Sequence, residues 1–411
     1  MKTVRITIVI SSIFFAVHAF AGSLTINGNL TVASNLTAQS ISLGGVTNST
    51  WPGLQGYKYV MVSEGTNDAQ RGNNLQAAYA TATTLSPSSS NRVAVIVPPG
   101  TYNLGTAGLV MNTSYVDLIG LVPAQMTTKQ VFTNSAGSLS TKTIANVQCP
   151  VRISSGTITQ TVDYVRIESM ILEDYYPSVS GTNTTLRHVS MTSMSWTAEY
   201  AGLYIDCVAG DESFGYAAIV SGTFIDCVGS EESFGADNLG TQGTFIDCTG
   251  GSDAFGGNSL HAGGTFIRCV GGDDAFGAEG ESSGTFINCV GGNHSFSGDN
   301  TADGTYVGCI GGDFSFGGEG DAIGSFINCV GGNDSFGGDS GDGGVLHTTA
   351  KLQHCKAGVN SFGSFNMASD DFNYNVGGSN TFLMLPQLPT TTNGLPSGTV
   401  YNNGGALMVM P

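Results

Sequence analysis

A segment of about 20 residues is repeated seven times between positions 201 and 344. Clear copies are GTFIDCVGSEESFG at 222–235 and GSFINCVGGNDSFG at 324–337, and a degenerate eighth copy lies around Cys355. The repeat cysteines stand 20 or 21 positions apart, at Cys207, Cys227, Cys248, Cys269, Cys289, Cys309 and Cys329. A fixed period of this length predicts a solenoid, in which each repeat packs only against its neighbours.

The composition of the repeat indicates which type of solenoid forms. Each copy holds one β-rich run, such as 223–228, then a Gly-rich corner and a short Ser-Phe-Gly segment. Glycine at this density disfavours a helix by about 1 kcal/mol per residue, and the framework of a leucine-rich repeat is absent. The sequence therefore predicts an all-β fold, a parallel β-helix (β-solenoid) with one repeat per coil and strands ~4.8 Å apart.

The segment before the repeats resembles a known family. Helical spacing of apolar residues predicts a helix over 74–84 with Asn73 or Asn74 as its N-cap, and the motif V-x-V-P-P-G-x-Y follows at 95–102. This order resembles the entry of the pectin-lyase-like right-handed β-helix superfamily. The resemblance implies a right-handed, single-stranded helix capped by the N-terminal helix. Its members include lyases, hydrolases, phage tailspikes and non-enzymatic surface proteins, so activity stays open.

The two ends of the chain have distinct compositions. Lys2 and Arg5, an apolar run and a small-x-small cleavage site at Ala19-Phe20-Ala21 are typical of a secretory signal peptide. They predict a secreted or cell-surface protein without a membrane span in its mature form. The tail ends with a strand-turn-strand pattern over 394–407 that contains the turn Asn402-Asn403-Gly404-Gly405. This ending is similar to those of some phage and bacterial surface-fibre proteins. The predicted organisation is a signal peptide at 1–21, a β-rich adapter at 22–56, the β-helix domain at 57–382, and a Pro/Thr-rich linker with a β-hairpin tail at 383–411.

The acidic residues are concentrated in the repeats. The net charge is −18, and 21 Asp or Glu lie between positions 201 and 344, against Arg268 as the single Lys or Arg there. This balance argues against a nucleic-acid partner and permits cation binding. No cofactor is required, but calcium would relieve repulsion between stacked carboxylates, the alternative being solvated acidic rows. The candidate calcium ligands are Asp211, Glu231, Asp253, Asp273, Asp274, Asp313 and Asp334, and a second acidic column contains Asp237, Glu279, Asp299, Glu319 and Asp339.

Strand alternation predicts which side chains face the core. It places Ile225 and Cys227 on one face and Asp226 on the opposite, solvent-facing side. The stacked cysteines then form either a ladder of buried thiols or vertical disulfides between adjacent coils. A zinc site is excluded, because one cysteine per coil in a straight line gives no tetrahedral cluster.

Two aromatic columns accompany the cysteines. The column from Phe214 to Phe336 is predicted to stack in the core, next to tight turns, the alternative being an exposed stripe on which sugar rings could lie. Strict alternation turns the other column outward, whereas a bend in the strand would turn it inward. If its rings are exposed, they are the best candidates for binding glycan: Tyr204, Phe224, Phe245, Phe266, Phe286, Tyr306 and Phe326.

An active site requires a group of side chains that differs from those at the equivalent positions of the other repeats. The superfamily resemblance implies that a lyase would use an Arg or Lys base, and Arg268, in line with Asp247 and Asp226, is the best candidate. The alternative is that Arg268 neutralises an acidic column. A hydrolase of the superfamily would instead use a pair of carboxylates that flank the glycosidic bond. Candidate cleft residues in the irregular coils are Asp163, Glu168, Glu173, Asp174 and His188.

Two hypotheses for function are consistent with the sequence. The first is a non-catalytic secreted surface or fibre protein that binds polysaccharide or cell-surface glycan, or forms a homo-oligomer or fibre, through its repetitive face. The second is a polysaccharide lyase or glycoside hydrolase acting on an acidic polysaccharide. Regularity of the repeats over 201–344 favours the first, because it provides one surface many times rather than one site.

Overall fold

The computed structural model describes the β-helix together with parts of the C-terminal region. The described residues are 58–135, 138–177, 183–194, 200–211, 214–215, 219–235, 240–257, 261–338, 344–347, 349–362, 372–373, 400–403 and 406–409. The predicted signal peptide and adapter lie outside the described residues, as does the Pro/Thr-rich linker. Within the described part, no helix is long and apolar enough to span a membrane.

The described chain is almost entirely β-structure, with one helix, α1 (Asp68–Thr83), near its start. The strands before the regular repeats are β1 (Lys58–Met61), β2 (Val93–Val97), β3 (Gly100–Tyr102), β4 (Leu109–Met111), β5 (Val116–Gly120), β6 (Gln125–Ser135), β7 (Ser138–Gln148), β8 (Val151–Ile153), β9 (Ile158–Gln160), β10 (Arg166–Pro177) and β11 (Thr185–Met194). The later strands are β12 (Leu203–Ile205), β13 (Val208–Ala209), β14 (Thr223–Ile225), β15 (Thr244–Ile246), β16 (Thr265–Ile267), β17 (Thr285–Ile287), β18 (Thr305–Val307), β19 (Asp321–Ala322), β20 (Ser325–Ile327), β21 (Val345–Leu346), β22 (Lys351–Gln353), β23 (Phe372–Asn373), β24 (Val400–Asn403) and β25 (Ala406–Val409).

Helix α1 packs its apolar face on the first coils, where Leu75 and Tyr79 join the same core as the strands. It begins earlier than predicted, and the predicted N-cap at Asn73 or Asn74 is wrong. Asn67 is the N-cap, because its side chain accepts a hydrogen bond of 2.9 Å from the Gln70 N–H. The Gln70 side chain in turn accepts from Thr66 N–H, an arrangement like a capping box.

Parallel pairing continues from the irregular coils into the regular ones. β10 pairs with β11, β11 with β12, and β12 with β14, and the series then runs through β20 to β22. Equivalent residues of consecutive repeats face each other, as in the pairing of Thr244 with Thr265. The fold is therefore a parallel β-helix with one repeat per coil, as predicted. A long antiparallel hairpin, β6–β7, interrupts the early coils and was not predicted, and β24 pairs antiparallel with β25.

The coils bend through residues in the left-handed backbone conformation. From β12 onwards, each three-residue strand is followed by one such residue, for example Asp226 at φ 52°. This bend changes the expected alternation: Phe224 and Cys227 are both buried, whereas Ile225 is only half-buried and lies on the outer side. The prediction that Ile225 and Cys227 share a face is therefore wrong, and the prediction that Asp226 faces water is confirmed.

The core of the regular coils consists of stacked rings and thiols. Rings of one column stack at 4.5 to 5.1 Å, as between Phe266 and Phe286, and rings of the two columns meet edge to face, as between Phe276 and Phe286. Such pairs stabilise by about 0.5–1.5 kcal/mol beyond the area they bury. The column from Phe214 to Phe336 is in the core, as predicted.

The other aromatic column is also buried, which overturns the glycan-binding prediction for its rings. Its members are between 0 and 2 % exposed, so a sugar has no access to them: Tyr204, Phe224, Phe245, Phe266, Phe286, Tyr306 and Phe326. The left-handed residue two positions later supplies the bend that turns this column inward. Burial also raises the pKa of the Tyr306 hydroxyl, which donates to the Ser282 carbonyl.

The repeat cysteines form a ladder of free, buried thiols in the same core. Each sulfur lies near a carbonyl oxygen of the preceding coil, as in the 3.4 Å contact of Cys248 Sγ with Phe224 O. Burial raises the pKa of thiols such as Cys227 and Cys248 well above its ordinary value, so they are unreactive thiols rather than thiolates. Of the two interpretations drawn from the sequence, the structure has the thiol ladder.

Candidate functional site

A polar row runs along the outer side of the coils, directly after the short strands and, in its first member, within β11. We call it the outer row, and its members are His188, Asp206, Asp226, Asp247, Arg268, Asn288, Gly308, Asn328 and His354. All have positive φ, a conformation that Gly, Asn, Asp and His adopt more readily than other residues. The backbone bend therefore selects small or polar side chains here and directs them to the solvent.

The first part of the outer row is a line of three aspartates with a basic residue at each end. His188 Nε2 lies 3.1 Å from Asp206 Oδ2. Arg268 donates from Nε and Nη2 to the two carboxylate oxygens of Asp247, both at 2.6 Å. Asp226 stands in the middle, and its carboxyl pKa is raised by burial and by the charges of Asp206 and Asp247.

This geometry shows which of the predicted catalytic residues meet. Arg268, Asp247 and Asp226 occupy consecutive positions of the outer row, as predicted. The Asp247 carboxylate raises the pKa of the Arg268 guanidinium, which stabilises its charged form and opposes a role as a base. The interpretation that Arg268 neutralises an acidic column therefore fits the structure.

Sequence reasoning missed that His188 belongs to the same row as Asp206, Asp226 and Asp247. His188 lies in β11, where Arg187 pairs with Ile205 and so aligns His188 with Asp206. The irregular spacing of the early coils hides this alignment in the sequence. The one indication is that a polar residue follows the Thr-Leu-Arg segment 185–187, as Asp226 follows Thr-Phe-Ile at 223–225.

Two further rows run beside the outer row on the same side, and together the three form what we call the outer face. Because the strands are paired in register, their outward side chains line up from coil to coil. The hydroxyl row is Thr223, Thr244, Thr265, Thr285, Thr305 and Ser325, and the aliphatic row is Ile225, Ile246, Ile267, Ile287, Val307 and Ile327. Thr305 is exposed and the others are half-buried, so the outer face offers hydroxyl, aliphatic and amide or carboxylate groups side by side.

The predicted calcium ligands separate into two neighbouring columns. The first contains Asp273 and Asp313, whose side chains are engaged by backbone amides of the next coil. Asp273 Oδ1 accepts from Asn293 N–H at 2.8 Å, and Asp313 Oδ1 accepts from Asn333 N–H at 2.7 Å. The amides continue the pattern, because Asn293 Oδ1 accepts from Asp313 N–H at 3.0 Å. These carboxylates therefore act as links between coils; Asp211 and Glu231 occupy the same position in earlier coils.

The second column consists of residues in the left-handed conformation: Asp253, Asp274 and Asp334, with His294 between the last two. Burial raises the pKa of the Asp253 carboxyl to about 6, with further contributions from Asp274, Glu232 and Glu279. The charged form of Asp253 is therefore disfavoured by its surroundings. We call the surface formed by this column and the neighbouring Glu279, Asp299 and Glu319 the acid face.

The proposed cleft in the irregular coils is replaced by separate ion pairs. Glu173 accepts from Arg152 Nη2 at 2.7 Å and from Ser155 N–H at 3.0 Å. Glu168 lies 2.6 Å from Arg166 Nη2 and 3.9 Å from Arg187 Nη1. His188 belongs to the outer row, so the predicted residues serve different contacts.

Comparison with known proteins leaves the function open. No family model matches this chain, and no curated protein matches it. Among solved structures, it is similar to the Azotobacter vinelandii mannuronan C-5 epimerase AlgE6 A-module, with 12% sequence identity and a TM-score of 0.30. The match covers 76% of this chain and 92% of that one. At this degree of similarity it carries no argument about activity.

Proposed function

We propose that this protein is a non-catalytic, secreted or cell-surface β-helix that binds an extended glycan along its outer face. The observation that supports the proposal is the strict register of three solvent-facing rows over consecutive coils. Repetition at ~4.8 Å brings the same groups to successive positions along a linear ligand. A polymer with a repeating unit suits such a surface better than a small molecule does.

The chemistry of the three rows suits carbohydrate. Thr hydroxyls and the Asn or Asp side chains of the outer row can exchange hydrogen bonds with sugar hydroxyls. The Ile and Val side chains between them can pack against the C–H faces of sugar rings, a role that the buried aromatic rings cannot take. The proposal thus keeps glycan as the ligand class and moves its site from the rings to the outer face.

The outer face can be tested with a double substitution, Thr265→Glu with Thr285→Glu. It places two carboxylates in adjacent coils of the hydroxyl row, where both side chains are half-buried and outward. A screen of immobilised neutral and acidic polysaccharides first identifies the polysaccharide that the wild type binds. We expect the double variant to bind it with an affinity at least about tenfold lower. Thr301→Glu is the matched control, because its column already carries Asp321 in the next coil. Equal affinity in the double variant and the wild type would refute the proposal.

One observation favours a second candidate, a glycoside hydrolase. Asp226 has a raised carboxyl pKa between two other carboxylates, as a general acid requires. Release of reducing ends from an acidic polysaccharide, abolished by Asp226→Asn, would establish this function in place of non-catalytic binding. Absence of both reducing ends and unsaturated products over the same panel would support the binding function.

A further inference from the structure

The acid face contains one place where a nitrogen ligand meets two carboxylates. His294 occupies the left-handed position of its coil, where other coils carry Asp253, Asp274 or Phe314. One ligand atom each from His294, Asp299 and Glu319 lie within 4.8 Å of one another. The sequence pattern drew attention to the acids of this surface but not to His294, because a single His within a varied column leaves no periodic signal.

The His294 ring is held in one orientation by its neighbours. Nδ1 faces the Asp274 carboxylate of the preceding coil at 3.4 Å, and the ring lies 5.0 Å from that of Phe314 in the following coil. This leaves Nε2 directed towards Glu319, at 3.8 Å from Oε1. That separation is too long for a hydrogen bond.

The same separation fits two ligands of one metal ion. Zinc binds imidazole nitrogen at ~2.0–2.1 Å and carboxylate oxygen at ~2.0–2.2 Å in a tetrahedral arrangement, so two of its ligand atoms stand about 3.4 Å apart. A small side-chain movement brings Nε2 and Oε1 to that distance. A carboxylate behind the second ring nitrogen is also the usual support of a zinc-bound histidine. Asp274 holds that place here.

The backbone around the site brings its parts together. Asp299 N–H donates to Ala278 O and Glu319 N–H donates to Gly298 O, so the segments that carry the two carboxylates are bonded coil to coil. Ser297 stands where neighbouring coils have Gly277 and Gly317, and its buried hydroxyl donates to Gly280 O at 2.7 Å, which fixes the turn that leads to Asp299. Side-chain movement of about 1 Å closes the set around an ion, given the metal–ligand distances of zinc.

We propose that His294, Asp299 and Glu319 bind one divalent transition-metal ion of the zinc type, with Asp274 as a positioning residue. The imidazole nitrogen distinguishes this site from the calcium ligands expected from the sequence, since calcium takes oxygen ligands. The ion links three consecutive coils, because the ligands come from two of them and the supporting carboxylate from a third. It lies on the acid face and is independent of glycan binding by the outer face.

The test uses the full chain after treatment with a chelator, titrated calorimetrically with Zn²⁺. We expect one ion per chain, with affinity reduced at least about tenfold in His294→Ala, Asp299→Asn and Glu319→Gln. His261→Ala is the matched control, because His261 makes a similar contact of 3.2 Å with Glu281 of the next coil and lies outside the site. It should bind as the wild type does.

A second measurement separates this site from the thiols. Co²⁺ bound to nitrogen and oxygen gives only weak visible bands, whereas a thiolate ligand adds intense near-ultraviolet charge transfer. We expect the weak bands, lost in His294→Ala. Unchanged binding in His294→Ala, equal loss in His261→Ala, a thiolate spectrum, or displacement of Zn²⁺ by an equal concentration of Ca²⁺ would each overturn the proposal.

Discussion

Substitution of Asp253 by Asn should stabilise the protein at neutral pH. The folded structure raises the pKa of this carboxyl from 3.8 to about 6, chiefly by burial and then by the charge of Asp274. A raised carboxyl pKa means that folding favours the protonated form. The stabilising contribution of this proton is complete below pH ~4 and is lost as the pH rises through about 6. Asparagine keeps the shape and removes the charge.

The magnitude follows from the pKa difference. About two pKa units correspond to ~3 kcal/mol, since each unit is ~1.4 kcal/mol. Asp253 is only half-buried, so solvent screens much of this energy, and a gain of about 1 kcal/mol is expected for Asp253→Asn. In a domain of this size that raises the melting temperature by roughly 2 °C.

Thermal unfolding followed by circular dichroism at pH 4 and pH 7.5, with chelator present, provides the assay. The difference in melting temperature between Asp253→Asn and the wild type should be positive at pH 7.5 and close to zero at pH 4. Asp211→Asn, at an exposed carboxylate of the neighbouring column, should show no such change. A variant that melts at or below the wild type at pH 7.5, or with the same difference at both pH values, would refute the reasoning.

Three other predictions concern the core and the links between coils. Phe266→Ala removes a ring stacked on both sides and should lower the free energy of unfolding by ~3–5 kcal/mol, measured by denaturant titration; a loss below about 1 kcal/mol would contradict the stacked core. Asp273→Asn should leave the melting temperature nearly unchanged with or without calcium, because Asn293 makes the same link to the next coil. Asp273→Ala removes the link and should lower the free energy of unfolding by about 1–3 kcal/mol. A calcium-dependent loss of stability in Asp273→Asn would instead support the calcium site. Without reductant, Cys149 should react first with a thiol reagent and the ladder thiols, such as Cys248, only after unfolding; any thiol that stays unlabelled in the denatured chain would indicate a disulfide.

The period of the repeat was enough to predict the fold and the columns. Cysteines 20 or 21 residues apart require stacking, and the paired strands have that register. The direction of side chains was harder to predict, because the bend at Asp226 interrupts the alternation on which the prediction depended. Phe234, at φ 59°, has a backbone conformation that bulky residues rarely adopt, and tertiary packing, not local preference, explains it.

The candidate sites were predicted less completely than the fold. The alignment of Asp226, Asp247 and Arg268 follows from the period, whereas His188 joins them across coils of irregular length. The meeting of His294 with Glu319 depends on two columns that lie on either side of a tight turn. Sequence spacing gives order along a column but not the distance between columns, so this contact required the structure.

The coil-to-coil links have a consequence for how this molecule can change its length. Asp313 accepts from a backbone amide of the next coil just as Asn293 does, and Asp273 and Asn333 make the same contact. The contact between consecutive coils is therefore nearly the same throughout this part of the β-helix. Duplication or deletion of one repeat unit would then alter the number of joints and leave each joint intact. The length of the surface along which a ligand could bind would thus change by one coil at a time, while the two ends of the β-helix stay the same.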